Sequence, residues 1–333
     1  MSQKNKLFVG IDVSKATLDI SISGKHFKIE NAKDAILLFI EKEIICKKML
    51  PILVCLESTG GYETVAMLCF QSSNISIHRA HPNRVHAFAK ASGHFAKTDK
   101  LDARLLEKYA AFVAHEETGD VPVSEASREL RELRSVERNL MEDLHASQCR
   151  FKKISGKAAK HIKVQIEFIQ NQLKVVRKDI AETIGSDDDL KHRQDTLMSY
   201  KGVAKQISST LLSELPELGS LSNKQIASLA GVVPKTYESG IKKSHGHITG
   251  GRFYVRKALY MAALVASRHN DAIKVFYKRL IAAGKAKKVA LVAIMRKIII
   301  CLNAMVKNNK IYEEFVGQNN EARRSSPLER RVG

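Results

Sequence analysis

The hydrophobic positions change period along the chain, and the change divides it. Leu7-Phe8-Val9-Gly10-Ile11-Asp12-Val13 is a short apolar run with one acid inside it, which predicts a mostly buried strand. Thr17 to Ser23 alternates, and Ser23-Gly24 is a hairpin turn signal, so residues 7–30 read as two or three adjacent strands. Ile36, Leu37, Ile40 and Ile44 give Ala32 to Lys48 helical spacing. Pro51 opens a second apolar run, Ile52-Leu53-Val54-Cys55-Leu56-Glu57. A Ser58-Thr59-Gly60-Gly61 loop follows, then a short helix from Tyr62 to Phe70 and a strand from Ser76 to Arg79 ahead of His81-Pro82-Asn83. A helix from about Lys100 to Val113 closes the segment. Strand-strand-strand-helix-strand-helix-strand-helix is an α/β layer with helices on a mixed sheet.

Beyond Pro122 the period becomes helical throughout. Leu130, Leu133, Val136, Leu140 and Leu144 recur at three-to-four spacing, and Ile162, Ile166, Ile169, Leu173 and Val176 repeat the pattern after a break at Ser155-Gly156. This predicts a helical hairpin or coiled-coil arm, serving as a spacer or as an oligomerisation element. Gly185 to Asp189 is an acidic break, and the chain from Leu197 onward is again mostly helical. The expected domains are 1–120, an arm over 121–190, a basic helical domain over 191–318, and a tail over 319–333 of disordered composition.

Charge changes this picture most. The 55 Lys and Arg against 35 Asp and Glu give a formal net charge of +20, which favours a polyanionic partner, nucleic acid or an anionic membrane surface. Between Ser239 and Tyr312 there are 16 Lys or Arg and one acid, Asp271, so the polyanion-binding surface is expected there. The most apolar stretch, Val289 to Met295 and Ile298 to Val306, is interrupted by Arg296-Lys297, and no membrane span is expected. The N-terminus leads straight into a strand and does not read as a signal peptide. The five cysteines, Cys46, Cys55, Cys69, Cys149 and Cys301, are scattered; this argues for a reduced cytoplasm and against structural zinc. With no Trp and 6% aromatics, a surface built on base stacking is not expected.

Against this basic background four acids stand out. Asp12 lies inside the first strand and Glu57 ends a later one, while Asp99 and Asp102 are three apart at a helix start and share a face. Taken singly, Asp12 reads as a turn or edge acid, and Thr98-Asp99 as a helix cap. Taken together and in this element order, they are the set that a two-metal phosphoryl-transfer site draws from distant strands. Lys97 and Lys100 flank the last pair and would touch phosphate or lower the acids' pKa values.

Gly10-Ile11-Asp12-Val13-Ser14-Lys15, Glu57-Ser58-Thr59-Gly60-Gly61-Tyr62 and Lys97-Thr98-Asp99-Lys100-Leu101-Asp102-Ala103 resemble the acidic motifs of the DEDD transposases. These form the insertion-sequence-110 family (here its subgroup 1111), which includes the Piv-type DNA invertases. The resemblance implies a ribonuclease H-like domain similar to the RuvC Holliday-junction resolvase. It also implies Mg²⁺, two ions per site, held by Asp12, Glu57, Asp99 and Asp102.

Two C-terminal stretches carry further signals. Leu197-Met198-Ser199-Tyr200-Lys201-Gly202-Val203-Ala204 looks like a helix-hairpin-helix, although Ala204 stands where a second glycine is usual. Ala230-Gly231-Val232-Val233-Pro234-Lys235-Thr236-Tyr237-Glu238-Ser239-Gly240, with Lys242, Lys243, Gly250, Gly251 and Arg252 beyond, is a Gly-rich basic loop entering an Arg-bearing helix. By residue chemistry alone Ser239 is a turn residue. The stretch resembles the family's C-terminal transposase domain, and this implies that Ser239 is the nucleophile. Lys242, Lys243, Arg252, Arg256 and Lys257 are expected as phosphate contacts.

The expected protein is thus a site-specific DNA recombinase of a prokaryotic mobile element, acting on nucleoid DNA as a dimer or tetramer. The resemblance further implies a structured noncoding guide RNA. Three alternatives use the same residues differently. A junction-resolving nuclease would use water as its nucleophile. A phosphotransferase of the actin-like fold would hold phosphate on Ser58-Thr59-Gly60-Gly61. A non-catalytic nucleic-acid binder would use only the basic surface.

Overall fold

The structure is a computed structural model. It describes residues 7–48, 51, 53–93, 99–114, 124–235, 238–239, 242–243 and 246–314; for residues 99, 100, 235, 238, 239, 242 and 243 it describes the backbone alone. The chain divides into two compact units, Met1–Pro122 and Val123–Gly333.

The first unit is built on a five-stranded sheet in the order β3-β2-β1-β4-β5, from β1 (Phe8–Val13), β2 (Thr17–Ile22), β3 (Lys25–Glu30), β4 (Leu53–Glu57) and β5 (Ile77–Ala80). β1, β2 and β3 pair antiparallel. β4 and β5 join parallel to β1. Both faces are covered. Val9, Ile11, Leu18, Ile20, Val54, Leu56 and Ile77 pack with α1 (Lys33–Phe39), its π-helical continuation Ile40–Ile45, and α2 (Thr64–Ser72). Leu53, Cys55 and Ala80 face the other way, against α3 (Pro82–Ala91) and α4 (Asp99–Val113) through Val85, Leu106, Tyr109 and Ala110.

The element order expected from periodicity is present, with one addition. α3 occupies a stretch to which the sequence reading assigns no element, between the strand ahead of His81-Pro82-Asn83 and the helix from about Lys100. Pro82 sits in its first turn, where proline's fixed φ suits a helix and its missing N–H costs nothing. The His81 ring accepts from the Asn83 amide at 3.2 Å and caps it.

The second unit is helical. α5 (Glu125–Phe151) and α6 (Gly156–Ser186) run for 27 and 31 residues and pack on one another. They are not a free-standing rod. Leu130, Val176, Ile180 and Ile184 belong to one core with residues of α7 (Asp188–Met198), α8 (Lys205–Glu214), α9 (Asn223–Leu229), α10 (Phe253–His269), α11 (Asp271–Ala282) and α12 (Lys287–Asn308). Polar bonds reinforce this. Arg134 is buried and bonded to Glu137 and to Thr210 of α8, and Arg138 pairs with Glu214 at 2.6 Å while lying 4.2 Å over the Tyr254 ring. α12, with Arg296-Lys297 inside it, is long and apolar enough to cross a membrane by length and composition only, a test that the core helix of a soluble protein also passes. Half of that window is buried inside this unit, where Ile294, Ile298 and Leu302 form its core.

Between α9 and α10 the chain makes a nested hairpin. β6 (Pro234–Lys235) pairs with β9 (His247–Ile248), and β7 (Glu238–Ser239) pairs with β8 (Lys242–Lys243).

Candidate active site

The four acids stand on elements that meet. β1 and β4 run parallel with Ile11 beside Leu56, so the next residue on each strand is an acid, Asp12 and Glu57. α4 crosses the face of β1 at Gly10. A Cβ on that glycine would overlap the Ala103 carbonyl oxygen and the Glu107 amide nitrogen and would lie 2.7 Å from the Leu106 carbonyl carbon. Asp102 directly precedes Ala103, and Asp99 begins the same helix one turn earlier. Asp12, Glu57 and Asp102 are half-buried, and each makes polar or electrostatic interactions within the fold. Among the described residues no three His, Cys, Asp or Glu side chains stand close enough together to hold a metal ion. The Asp99 side chain lies outside that description. The donor set, all carboxylate oxygen, is one that hard divalent cations accept.

Glu63 lies in the loop that follows Glu57, and sequence reasoning passed over it. It is 2% exposed. Its carboxylate accepts from the Gly61 amide at 2.8 Å, the Thr59 amide at 3.2 Å and the Thr59 hydroxyl at 3.1 Å, with Arg79 of β5 3.6 Å away. Burial alone would raise its pKa; the amides of residues 63, 61 and 59 and the Thr59 hydroxyl together hold it below the ordinary carboxylate value. The carboxylate thereby gathers the Ser58–Gly61 turn, in which Gly60 and Gly61 both adopt positive φ. In the sequence Glu63 looks like an ordinary first-turn acid of a helix.

Asp19 was missed for a different reason. In the alternation Thr17-Leu18-Asp19-Ile20-Ser21-Ile22 the acid is one polar position among three and carries no sign of burial. α4 covers the face that bears Asp19 and Ser21: Asp19 is 5% exposed, and Ser21 donates to Glu107 of α4 at 2.5 Å. Asp19 lies across the ladder from Asp12 and is partnered by His26 at 2.8 Å and Lys28 at 3.1 Å. Its charge is therefore met within the sheet.

Ser239 lies on β7, with its backbone opposite Lys242 of β8. The side chains of Ser239, Lys242, Lys243 and Lys100 lie outside the described residues, as does Lys97 altogether. Lys257 is exposed on α10. Arg252 departs from expectation. Its guanidinium is spent on protein: Nη1 and Nη2 grip the Glu217 carboxylate at 2.6 and 2.5 Å, and Nη1 also reaches the Glu214 carbonyl oxygen at 2.5 Å. A planar fork satisfied by carboxylate is not available for bidentate phosphate binding. Arg256 likewise donates to the Gly250 carbonyl oxygen. In the helix-hairpin-helix-like segment, Gly202 abuts α10 near Ala262 and Ala266, and Tyr200 is buried with its ring 4.8 Å from that of Tyr312.

Comparison with known proteins agrees with this layout. A family model of IS110 DEDD transposases matches residues 9–154. A second, described as "Transposase IS116/IS110/IS902 family", matches residues 194–278. The "Pilin gene-inverting protein" of Moraxella bovis is 26% identical over 325 residues, covering 94% of this chain and 99% of that protein. Its counterpart in Moraxella lacunata matches at the same identity and coverage. An IS110 insertion-element protein of Streptomyces coelicolor is 29% identical over 119 residues, 35% of this chain and 29% of the relative. With one model running from the sheet unit through α5 and the other on the helices beyond, the chain belongs to the IS110 family of transposases and is a DNA recombination enzyme.

Proposed function

We propose that the chain cuts and rejoins DNA at the ends of a mobile element, with Asp12, Glu57, Asp99 and Asp102 holding Mg²⁺ and Ser239 as nucleophile. The observation that carries this reading is the parallel register of β1 and β4, which makes Asp12 and Glu57 neighbours at two strand ends beneath the helix that bears Asp99 and Asp102. Acids are costly at such positions unless a cation joins them.

Bound there, two Mg²⁺ ions would supply Lewis-acid stabilisation of charge on the transferring phosphoryl group. The protein's own part is then positional. The Ser239 Oγ attacks phosphorus, its proton passing to water; the Ser–O–P bond forms as the P–O3′ bond breaks, and the departing 3′ oxygen takes up a proton. The phosphoserine link keeps the ester's free energy, so a 3′ hydroxyl of another strand can reverse the step with no external energy source. Lys97, Lys100, Lys242, Lys243 and Lys257 neutralise backbone phosphate. The long helices α5 and α6 would join subunits into a dimer or tetramer. A structured guide RNA, implied by the family, fits the excess of positive charge. The printed name of the Moraxella relatives records gene inversion, and strand exchange by this route serves inversion and transposition alike. The working place is nucleoid DNA in a prokaryotic cytoplasm.

Denaturing lysis of cells expressing the chain beside its native flanking DNA tests the serine. A covalent protein–DNA adduct is expected from wild type and not from Ser239→Ala. An adduct that persists in Ser239→Ala rejects Ser239. Cleavage to free ends with no adduct in either assigns the nucleophile to water and the enzyme to the junction-nuclease class.

A further inference from the structure

The hairpin that carries Ser239 springs from an unusually tight base. Gly231 and Gly251 both adopt positive φ, 69° and 68°, and their backbones interlock. A Cβ on Gly251 would overlap the Gly231 backbone and come within 2.9 Å of the Ala230 carbonyl carbon. The Arg252 amide donates to the Leu229 carbonyl oxygen at 2.9 Å. The two ends of the hairpin are thus tied backbone to backbone.

The Arg252 guanidinium then fixes this knot to the rest of the unit. Its partners, the Glu217 carboxylate and the Glu214 carbonyl oxygen, lie at the end of α8 and in the turn after it. The Glu214 carboxylate in turn receives Arg138 of α5. A run of alternating charges, Arg138–Glu214 and Arg252–Glu217, therefore links α5 and α8 to the root of the hairpin. Bidentate Arg–carboxylate geometry constrains direction as well as distance.

We propose that Glu217 and Arg252 are positioning residues for strand cleavage: they fix the root of the hairpin and so the aim of Ser239, and neither touches DNA. This rests on Ser239 being the nucleophile. Errors of about 1 Å in the approach of reacting atoms cost on the order of a hundredfold in rate, and a lever pivoting at its root magnifies small rotations at its tip.

The test compares binding with chemistry in the full-length chain. Binding is read by mobility shift of a fluorescent duplex of the element's own flanking DNA at several salt concentrations. Chemistry is read as the rate of covalent adduct formation in cells carrying that DNA. Arg252→Lys and Glu217→Gln are each expected to slow adduct formation on the order of a hundredfold, with affinity within about twofold of wild type and the salt slope unchanged. The exchange Arg252→Glu with Glu217→Arg is expected to recover part of the rate. A phosphate contact predicts the reverse: Arg252→Ala would weaken binding and lower the salt slope by about one, and Glu217→Gln would tighten binding by freeing the guanidinium. Either result overturns the proposal, as does an undiminished rate. Should Glu217→Gln lower the melting temperature, Glu217→Asp, which keeps the charge and shortens the reach, must show the same split. A wild type that forms no adduct overturns the serine reading instead. A wild-type adduct untouched by these variants overturns the positioning role alone.

Discussion

Gly10 of β1 and Ala103 of α4 meet backbone to backbone, with no room for a Cβ between them. This contact seats the helix that bears Asp99 and Asp102 over the strand that bears Asp12. Gly10→Ala would push α4 off the sheet, because backbone atoms rather than a flexible side-chain end occupy the space. The expected cost is about 1–3 kcal/mol, read as a lower melting temperature. Recombination is expected to fall further than the stability loss alone explains, as the two groups of acids separate. A variant with wild-type melting and activity would show that α4 needs no such closeness.

Asp12→Asn keeps the size of the side chain and removes its charge. Recombination in cells should fall on the order of a hundredfold or more, and the heat of Mg²⁺ binding in calorimetry should shrink. Melting should stay near wild type, since the half-buried Asp12 is no part of the apolar core. Unchanged recombination would leave the four acids without a catalytic role.

Glu63 gives the first unit a dependence on pH. Its folded-state pKa lies below the ordinary value, so its contribution is complete above the unfolded carboxylate pKa. That contribution is lost as pH falls through the ordinary range toward the folded value. Glu63→Gln should flatten the acid limb of stability against pH and cost about 2–3 kcal/mol near neutrality, the amide being a poorer acceptor for the donors now gathered on the carboxylate. Chemical denaturation across acidic pH measures both. An acid limb identical to wild type would mean that Glu63 does not hold the turn.

Arg134 and Glu137 form a buried ion pair, with Arg177 reaching the other Glu137 oxygen at 2.8 Å. Burial pulls the Arg134 pKa down and Glu137 pulls it back up. Arg134→Met alone should cost about 3–5 kcal/mol by leaving the buried Glu137 oxygen away from Arg177 unpaired, whereas Arg134→Met with Glu137→Leu should recover most of it. Equal losses in the single and double variants, by urea denaturation, would assign the cost to packing instead.

Much of the first unit was legible in the sequence because strand and helix periods are local. The runs ending at Val13 and Glu57 became β1 and β4, and the hairpin signal at Ser23-Gly24 became the β2–β3 turn. What was not legible depended on neighbours. The burial of the polar positions Asp19 and Ser21 was hidden because alternation does not report what covers a strand; α4 does. Arg252 read as a phosphate contact because it is a cation in a basic, Gly-rich stretch. Its carboxylate partner is 35 residues away in sequence, and single-sequence reasoning has no access to such pairings.

By itself, then, the sequence determined most of the elements, the charge asymmetry and the acidic and serine motifs, all of which are properties of short windows and sums; α3 and the β6–β9 hairpin came only with the structure. Tertiary structure decided which charges are spent. It buried Asp19 against His26 and Lys28, gave Glu63 to the turn after Glu57, and tied Arg252 to Glu217. The reason is physical. A charge in water is the same wherever it stands in the chain, but once folded its role depends on the partners and the solvent left to it, and those arrive from residues that no local pattern connects.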